Sequence, residues 1–269
     1  MSYSMGTIIG RMFDFNSPLL ELAVYDFAIQ YAVFIVSAFL KTEIFYDLTG
    51  SITFIVLSHM CISWNPERSL RQMIQSGMIL TWAVRLGTFL FIRVIKSGKD
   101  RRFDKVRENP KRFFVYWTLQ GMWIFITLLP TMMLLSRPDY SPFTIRDYLG
   151  FGLWAFGFTF EVVADFQKSV FCNIPENKGK YITTGLWSVS RHPNYLGEIL
   201  LWFGLYFSAS STFRGKEMLT VLCPVFDMFL ITRISGIPIL EKHGLQKWGN
   251  DPKYISYVKD TSILIPYLW

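Results

Sequence analysis

Charge, cysteine and histidine are all scarce in this chain. Only 17% of its 269 residues are charged, against roughly a quarter in soluble domains. Hydrophobic residues make up 51% and aromatic residues 17%, and mean hydropathy is +0.30. So few charges cannot clothe a water-facing surface, which excludes an ordinary soluble domain. The three cysteines, Cys61, Cys172 and Cys223, are odd in number and far apart. They frame neither a disulfide scaffold nor a zinc or redox motif. The histidines, His59, His192 and His243, do not cluster, so no metal centre is expected. There is no solenoid-type repeat and no low-complexity tract. No cleavable signal peptide is expected either. The first apolar stretch starts beyond Leu19 and carries Glu21 and Asp26, with no basic segment before it.

What the chain has instead is a series of apolar runs of nearly bilayer width. A spanning helix needs about 20 such residues. Seven segments qualify: 22–40, 48–64, 74–95, 113–135, 145–165, 195–212 and 217–240. The first contains Asp26 and Gln30 and the second is short, so six or eight spans stay open. The expected fold is all-α, a polytopic membrane bundle of about seven transmembrane helices. It forms a single integral membrane domain over 1–269, with two N-terminal spans within 19–64.

Net charge is +7 and the isoelectric point about 9.3. In a soluble protein that would suggest nucleic acid. Here the basic residues sit in a few loops. With seven spans, 17 of the 27 lysines and arginines fall on one side and 7 on the other, and eight of the 17 lie in 96–112. The positive-inside rule turns that side, and the C-terminus, to the cytosol. The partner is then the lipid bilayer, not nucleic acid. A eukaryotic chain would sit in the endoplasmic reticulum membrane and a bacterial one in the inner membrane. The tail after Leu240 is expected to fold back on the membrane face.

Ionisable groups at membrane depth are costly and usually mark function. Arg85 and Arg93 lie on the third segment, Glu161 and Asp165 on the fifth, Glu198 on the sixth, Asp227 and Arg233 on the seventh. Glu161 and Asp165 share a helix face at i,i+4, as do Asn194 and Glu198. Asp227 and Arg233 read as interhelical pairing. Arg85, Asp165, Asn194 and Glu198 gather at the cytosolic ends of three spans, where a polar cofactor would enter. The stretch 166–193 is too long for a mere connection. It enters the sixth span through Ser190-Arg191-His192-Pro193-Asn194. Pro193 suits a first helical turn and forces His192 out of helical geometry. Arg191 beside free N–H groups suits an anion, and equally suits a capped helix with a snorkelling arginine.

These strings resemble a known family. Glu161-Val-Val-Ala-Asp165-Phe-Gln167-Lys168, Thr184-Gly185-Leu186-Trp187 and Ser190-Arg191-His192-Pro193-Asn194-Tyr195-Leu196-Gly197-Glu198 resemble the membrane-embedded steroid 5-alpha-reductases, in their broad branch. Trp82-Ala-Val-Arg85, Lys99-Asp100-Arg101-Arg102, Ser235-Gly236-Ile237-Pro238 and Leu264-Ile265-Pro266 agree, so a reductase-like core spans 75–269. The resemblance implies a seven-helix bundle binding NADPH at its cytosolic face. It would reduce a carbon–carbon double bond in a lipid-soluble, steroid-like, enone or acyl substrate. The expected cofactor-binding set is Arg85, Arg93, Asp165, Lys168, Arg191, His192, Asn194, Tyr195 and Glu198. The family's catalytic tyrosine falls at Trp82, which cannot deliver a proton, and the second span carries no acid. His59 and Trp82 are the catalytic candidates. Arg191-His192-Pro193-Asn194-Tyr195 with Glu241 and Tyr254-Ile-Ser-Tyr257 also resembles the isoprenylcysteine carboxyl methyltransferases, which use S-adenosylmethionine. Glu198 and the segment Ala164–Lys168 favour the reductase branch. A non-catalytic lipid-binding protein of the same fold is the third reading.

Overall fold

The computed structural model describes residues 18–268. The expectation of no cleavable signal falls mainly on 1–17, outside the described residues. Helices are the only regular structure among the described residues: α1 Pro18–Phe39, α2 Tyr46–Ser63, α3 Leu70–Ser97, α4 Pro110–Leu135, α5 Ile145–Asn173, α6 Pro193–Ser210, α7 Leu222–Phe229, α8 Ile237–Trp248 and α9 Pro252–Asp260. The chain is a polytopic helical membrane protein. Five segments are long and apolar enough to cross a bilayer: α1, α3, α4, α5 and the stretch Gly215–Trp248. The expected second and sixth spans are present as α2 and α6, each 18 residues. Both are short and diluted by polar residues, Asp47 and His59 in one, Asn194 and Glu198 in the other. The described residues fall into two compact units, a first up to Pro142 and a second from Phe143.

Local signals set the helix limits. Ser69 and Gln72 form a reciprocal capping box at the start of α3, and Gly98, at φ 74°, ends it. Asn109 caps α4 ahead of Pro110, and Thr144 and Asp147 box the start of α5. That is why α3 begins earlier, at Leu70, than the apolar run at 74 suggests. Helix α5 runs eight residues past Asp165, so the loop thought to begin at 166 begins at 174.

In the first unit the polar residues that weakened the first span turn inward. Asp26 and Gln30 are fully buried. The Gln30 amide donates to Thr53 Oγ1 at 3.0 Å and accepts from Gln120 Nε2 at 3.0 Å. A polar group in lipid must find its partner inside the protein. At one end of the unit, Arg71 is fully buried against Asp139. Gln72 Nε2 donates to the carbonyls of Leu134 and Arg137, 2.9 and 2.7 Å away. The Leu134 carbonyl lies in the last turn of α4, where no helical N–H remains for it, and Arg137 lies just beyond the helix end.

The seventh span was expected as one helix over 217–240. The structure breaks it. A 3-10 segment Gly215–Val221 leads into α7, a π-turn Leu230–Ile234 follows, and α8 starts at Ile237. Pro238 has no N–H to bond back to Ile234, so it stands in the first turn of a new helix, where that N–H is not needed. The Ser235 N–H reaches Leu230 O instead, at 2.8 Å. The supposed tail is therefore two more helices, α8 and α9.

The second unit is organised by a glycine seam between α5 and α6. Gly150 and Gly157 on α5 face Gly204 and Gly197 on α6. A Cβ at Gly197 would lie 2.5 Å from Gly157 O and 2.7 Å from Glu161 N; at Gly204, 2.7 Å from Gly150 O. The seven-residue spacing continues to Ala164 and Ser190, both fully buried. Small residues at that interval let two membrane helices touch backbone to backbone. Gly197→Ala should therefore destabilise the unit by about 1–3 kcal/mol. Gly152→Ala, whose Cβ would meet nothing within 4 Å, should not. Thermal unfolding in detergent compares the two, and an unchanged Gly197→Ala protein would contradict the seam.

Candidate functional site

Past the close of the seam, α5 runs on to Asn173 and the segment leading into α6 is pinned back against it. Gly185, at φ 63°, turns the chain. The Leu186 N–H bonds Gln167 Oε1 at 2.9 Å, and Trp187 Nε1 bonds the Ala164 carbonyl at 3.0 Å. The C-terminal residues complete the clamp. Tyr257 Oη donates to Trp187 O at 2.7 Å, Ser190 Oγ donates to Leu264 O at 2.7 Å, and the Arg191 N–H donates to Ser262 O at 2.9 Å. Helix α8 brings Glu241 to the start of α6. One carboxylate oxygen pairs with Arg191 Nη1, and the other lies 2.7 Å from His192 Nε2. Arg191 Nε also donates to Thr261 O at 3.2 Å.

A cavity of about 440 Å³ opens here, within the usual range for small-molecule sites. Five lysines and arginines line it, Lys168, Lys178, Lys180, Arg191 and Lys247, with His192 and His243, against the single acid Glu241. Its other walls are aromatic: Tyr181, Trp187, Trp248, Tyr254 and Tyr257. Tyr181 stands edge-on to Trp248 and Tyr254, with centroids 5.5 and 4.8 Å away. Lys168 Nζ lies over the Trp187 ring, 4.6 Å from its centroid, and Lys247 over Trp248 at 4.4 Å. Burial pulls the His192 pKa below its ordinary value, with Lys168 and Arg191 acting the same way, against the opposing pull of Glu241. A neutral His192 that donates from Nε2 to the carboxylate keeps Nδ1 as a bare acceptor. The arrangement can hold an anionic ligand with flat rings. Among the described residues no group of three or more His, Cys, Asp or Glu side chains could hold a metal ion.

The predicted site residues separate into groups. Lys168, Arg191 and His192 line the cavity. Asn194 Nδ2 donates to Asp165 Oδ1 at 3.2 Å across the seam, and Glu198 Oε1 accepts from Trp202 Nε1 at 2.7 Å, one turn along α6. Tyr195 stacks on His192 at 5.7 Å and packs with Ile199, Ile237 and Leu264. Arg85 and Arg93 belong to the first unit. Arg85 lies 5.4 Å from the Phe89 ring centroid, and Arg93 lies 3.9 Å from Asp100. Trp82 is buried edge-on against Phe54 at 4.9 Å. His59 is exposed, five residues and about 140° of helix from Phe54. Sequence reasoning missed Lys247, Trp248 and Tyr181 as cavity residues. The signals were there: Pro238 restarting a helix, and Asp251-Pro252 capping another.

The model of the family described as "Protein of unknown function (DUF1295)" matches residues 33–261. The chain belongs to that family, a steroid 5-alpha-reductase-like membrane family. It is 26% identical over 166 residues to an uncharacterized protein of Schizosaccharomyces pombe, covering 51% of this chain and 48% of that one. It is 38% identical over 97 residues to a probable O-methyltransferase of Ustilaginoidea virens, covering 33% of this chain and 34% of that one. The chain thus spans half or less of the length of these relatives. No solved structure matches.

The buried histidine makes stability depend on pH. As pH falls below about 6.5, the unfolded chain binds a proton that folded His192 resists, so stability drops. Melting temperatures at pH 7.5 and 5.5 should differ in that direction. His192→Gln, which keeps a donor for Glu241, should narrow the difference. If the gap stays the same in the variant, His192 is not its source.

Proposed function

We propose that the protein is a membrane-bound NADPH-dependent reductase of a carbon–carbon double bond in a lipid-soluble substrate. One observation carries the choice of cofactor: five cations and one acid around an aromatic-walled cavity. A dinucleotide presents phosphates and flat rings, which lysines and an arginine bind by charge and hydrogen bonds, with tyrosine and tryptophan faces for the rings. S-adenosylmethionine carries a sulfonium and an ammonium against one carboxylate, so a cavity of that sign suits it less. Lys178, Lys180 and Lys247 would hold phosphate. Arg191, already divided between Glu241 and Thr261, would mainly position the start of α6. Asp165 and Asn194, bonded to each other, would orient ribose hydroxyls or a carboxamide, with Glu198 one turn further. Bound there, NADPH supplies the hydride. A proton for the substrate must come from elsewhere than Trp82, whose buried indole donates hydrogen bonds only.

The methyltransferase reading keeps two supports. Glu241, the acid that resemblance selects, contacts both Arg191 and His192, and one relative is named a probable O-methyltransferase.

Ligand-induced stabilisation separates the two. At a hundredfold excess over Kd, a ligand stabilises by about 2.7 kcal/mol. Detergent-solubilised protein should melt higher with NADPH and not with S-adenosylmethionine. Asn194→Ala and Glu198→Ala should weaken NADPH binding and still fold. Lys178→Ala with Lys180→Ala should raise the Kd about tenfold or more, since hydrogen bonds to charged groups are worth about 1.5–3 kcal/mol. Stabilisation by S-adenosylmethionine alone would reverse the assignment.

A further inference from the structure

A second cavity, of about 540 Å³, lies in the first unit, where the turn Arg101–Phe103 and the residues after it fold over the start of α4. Three cations reach it, Arg102, Lys105 and Arg112. Arg102 is divided between Asp47 at 2.6 Å and Asp100 at 2.8 Å. The one acid at the cavity, Asp104, pairs with Arg107 and lies 4.0 Å from Lys99. Lys105 and Arg112 have no ion-pair partner among the described residues. Two cations thus face the cavity without neutralisation.

The rest of the lining is apolar. Val106 is buried, while Val115 and Tyr116 are 50% and 37% exposed. The row continues along the outside of α4 at i+4 and i+7, where Leu119 and Met122 are 55% and 46% exposed. Helix α4 has 26 residues, about 39 Å at 1.5 Å each, against about 30 Å of hydrocarbon. Its first turns, with Arg112 and Val115, therefore stand at headgroup depth. A cationic mouth above an apolar strip at that level matches one kind of molecule, a negative headgroup with an acyl tail. Basic pockets at the ends of spans bind such headgroups. An exposed charge run alone would be a solvated face; a cavity with an apolar floor continuing into the bilayer is not.

We propose that this cavity binds the headgroup of an anionic glycerophospholipid. Lys105 and Arg112 contact its phosphate, and an acyl chain lies along Val115, Leu119 and Met122. The site is separate from the cofactor cavity and does not depend on the reductase reading.

The test uses delipidated full-length protein in neutral detergent, with lipid binding followed by native mass spectrometry and by melting temperature. Dioleoylphosphatidylglycerol should bind and raise the melting temperature, and dioleoylphosphatidylcholine should do so far more weakly. Lys105→Gln with Arg112→Gln, both exposed and unpaired, should leave the fold intact and weaken phosphatidylglycerol binding about thirtyfold. The control Lys242→Gln with Lys253→Gln removes the same charge from exposed positions in the other unit and should change little. Val115→Asn should weaken phosphatidylglycerol binding without altering net charge. Equal binding of phosphatidylcholine, full competition by inorganic phosphate, equal loss in the control, or unchanged affinity in the Lys105/Arg112 variant would each overturn the proposal.

Discussion

Backbone contact between α5 and α6 is the constraint on which the second unit depends. Lipid tails are as apolar as leucine, so membrane helices gain little by hiding hydrophobic side chains from them. Close approach is what remains, and it demands the absence of side chains. Gly150 and Gly157 against Gly204 and Gly197 provide that absence at seven-residue intervals. The seam runs on through Ala164 and Ser190. Where it ends, Asp165 meets Asn194 and Lys168 comes up to the start of α6. The polar groups of the candidate site thus inherit their positions from residues that have no functional group at all.

The first unit solves a different problem. Its helices carry Asp26, Gln30, Thr53, Gln120 and Arg71 in a setting where each bare polar group costs several kcal/mol. Each is turned inward. The Gln30–Thr53–Gln120 chain satisfies amides with amides and a hydroxyl, and Gln30 Nε2 also donates to Asp26 Oδ1 at 3.4 Å. Arg71 needs more, and receives Asp139, the Ser141 hydroxyl at 3.0 Å and the Pro142 carbonyl at 2.8 Å. Such groups lower the apparent hydrophobicity of a segment and raise its specificity of packing. A hydropathy sum reads only the first effect, which is why α1 looked like a weak span.

The spans were legible as apolar runs, but the caps that set their limits were passed over: Ser69 with Gln72, Asn109 with Pro110, and Thr144 with Asp147 mark helix starts within four residues. Pro238 marks the break in the last long apolar segment just as plainly, yet uniform hydropathy across 217–240 hid it. The glycine interval on α5 and α6 was also in the sequence, but a seven-residue spacing means something only once two helices are known to face each other. The site was legible at Lys168, Arg191 and His192, which are near one another in the chain. Lys247, Trp248 and Tyr254 reach the same cavity from 56 to 63 residues beyond Arg191, and only the fold-back of α8 and α9 brings them there. Arg85 and Arg93 lie in the first unit, beside Phe89 and Asp100, and the cofactor role expected of them rests on the family resemblance.

The string Arg191-His192-Pro193-Asn194-Tyr195 points toward two chemistries, and the geometry explains how. Arg191 commits Nη1 and Nε to Glu241 and Thr261, His192 commits Nε2 to Glu241, and Tyr195 packs its ring on His192 and the apolar cluster around Ile237 and Leu264. The string fastens α8 and the C-terminal residues to the start of α6. Any protein needing a roofed cavity at that helix end has use for it, whatever the cavity holds. Cofactor preference must then be written in the side chains that face the cavity and are not consumed by the fastening. Those are lysines, at 178, 180 and 247, set among tyrosine and tryptophan rings. On the proposed reading, their positive sign is what would select a polyanion with flat rings over a sulfonium.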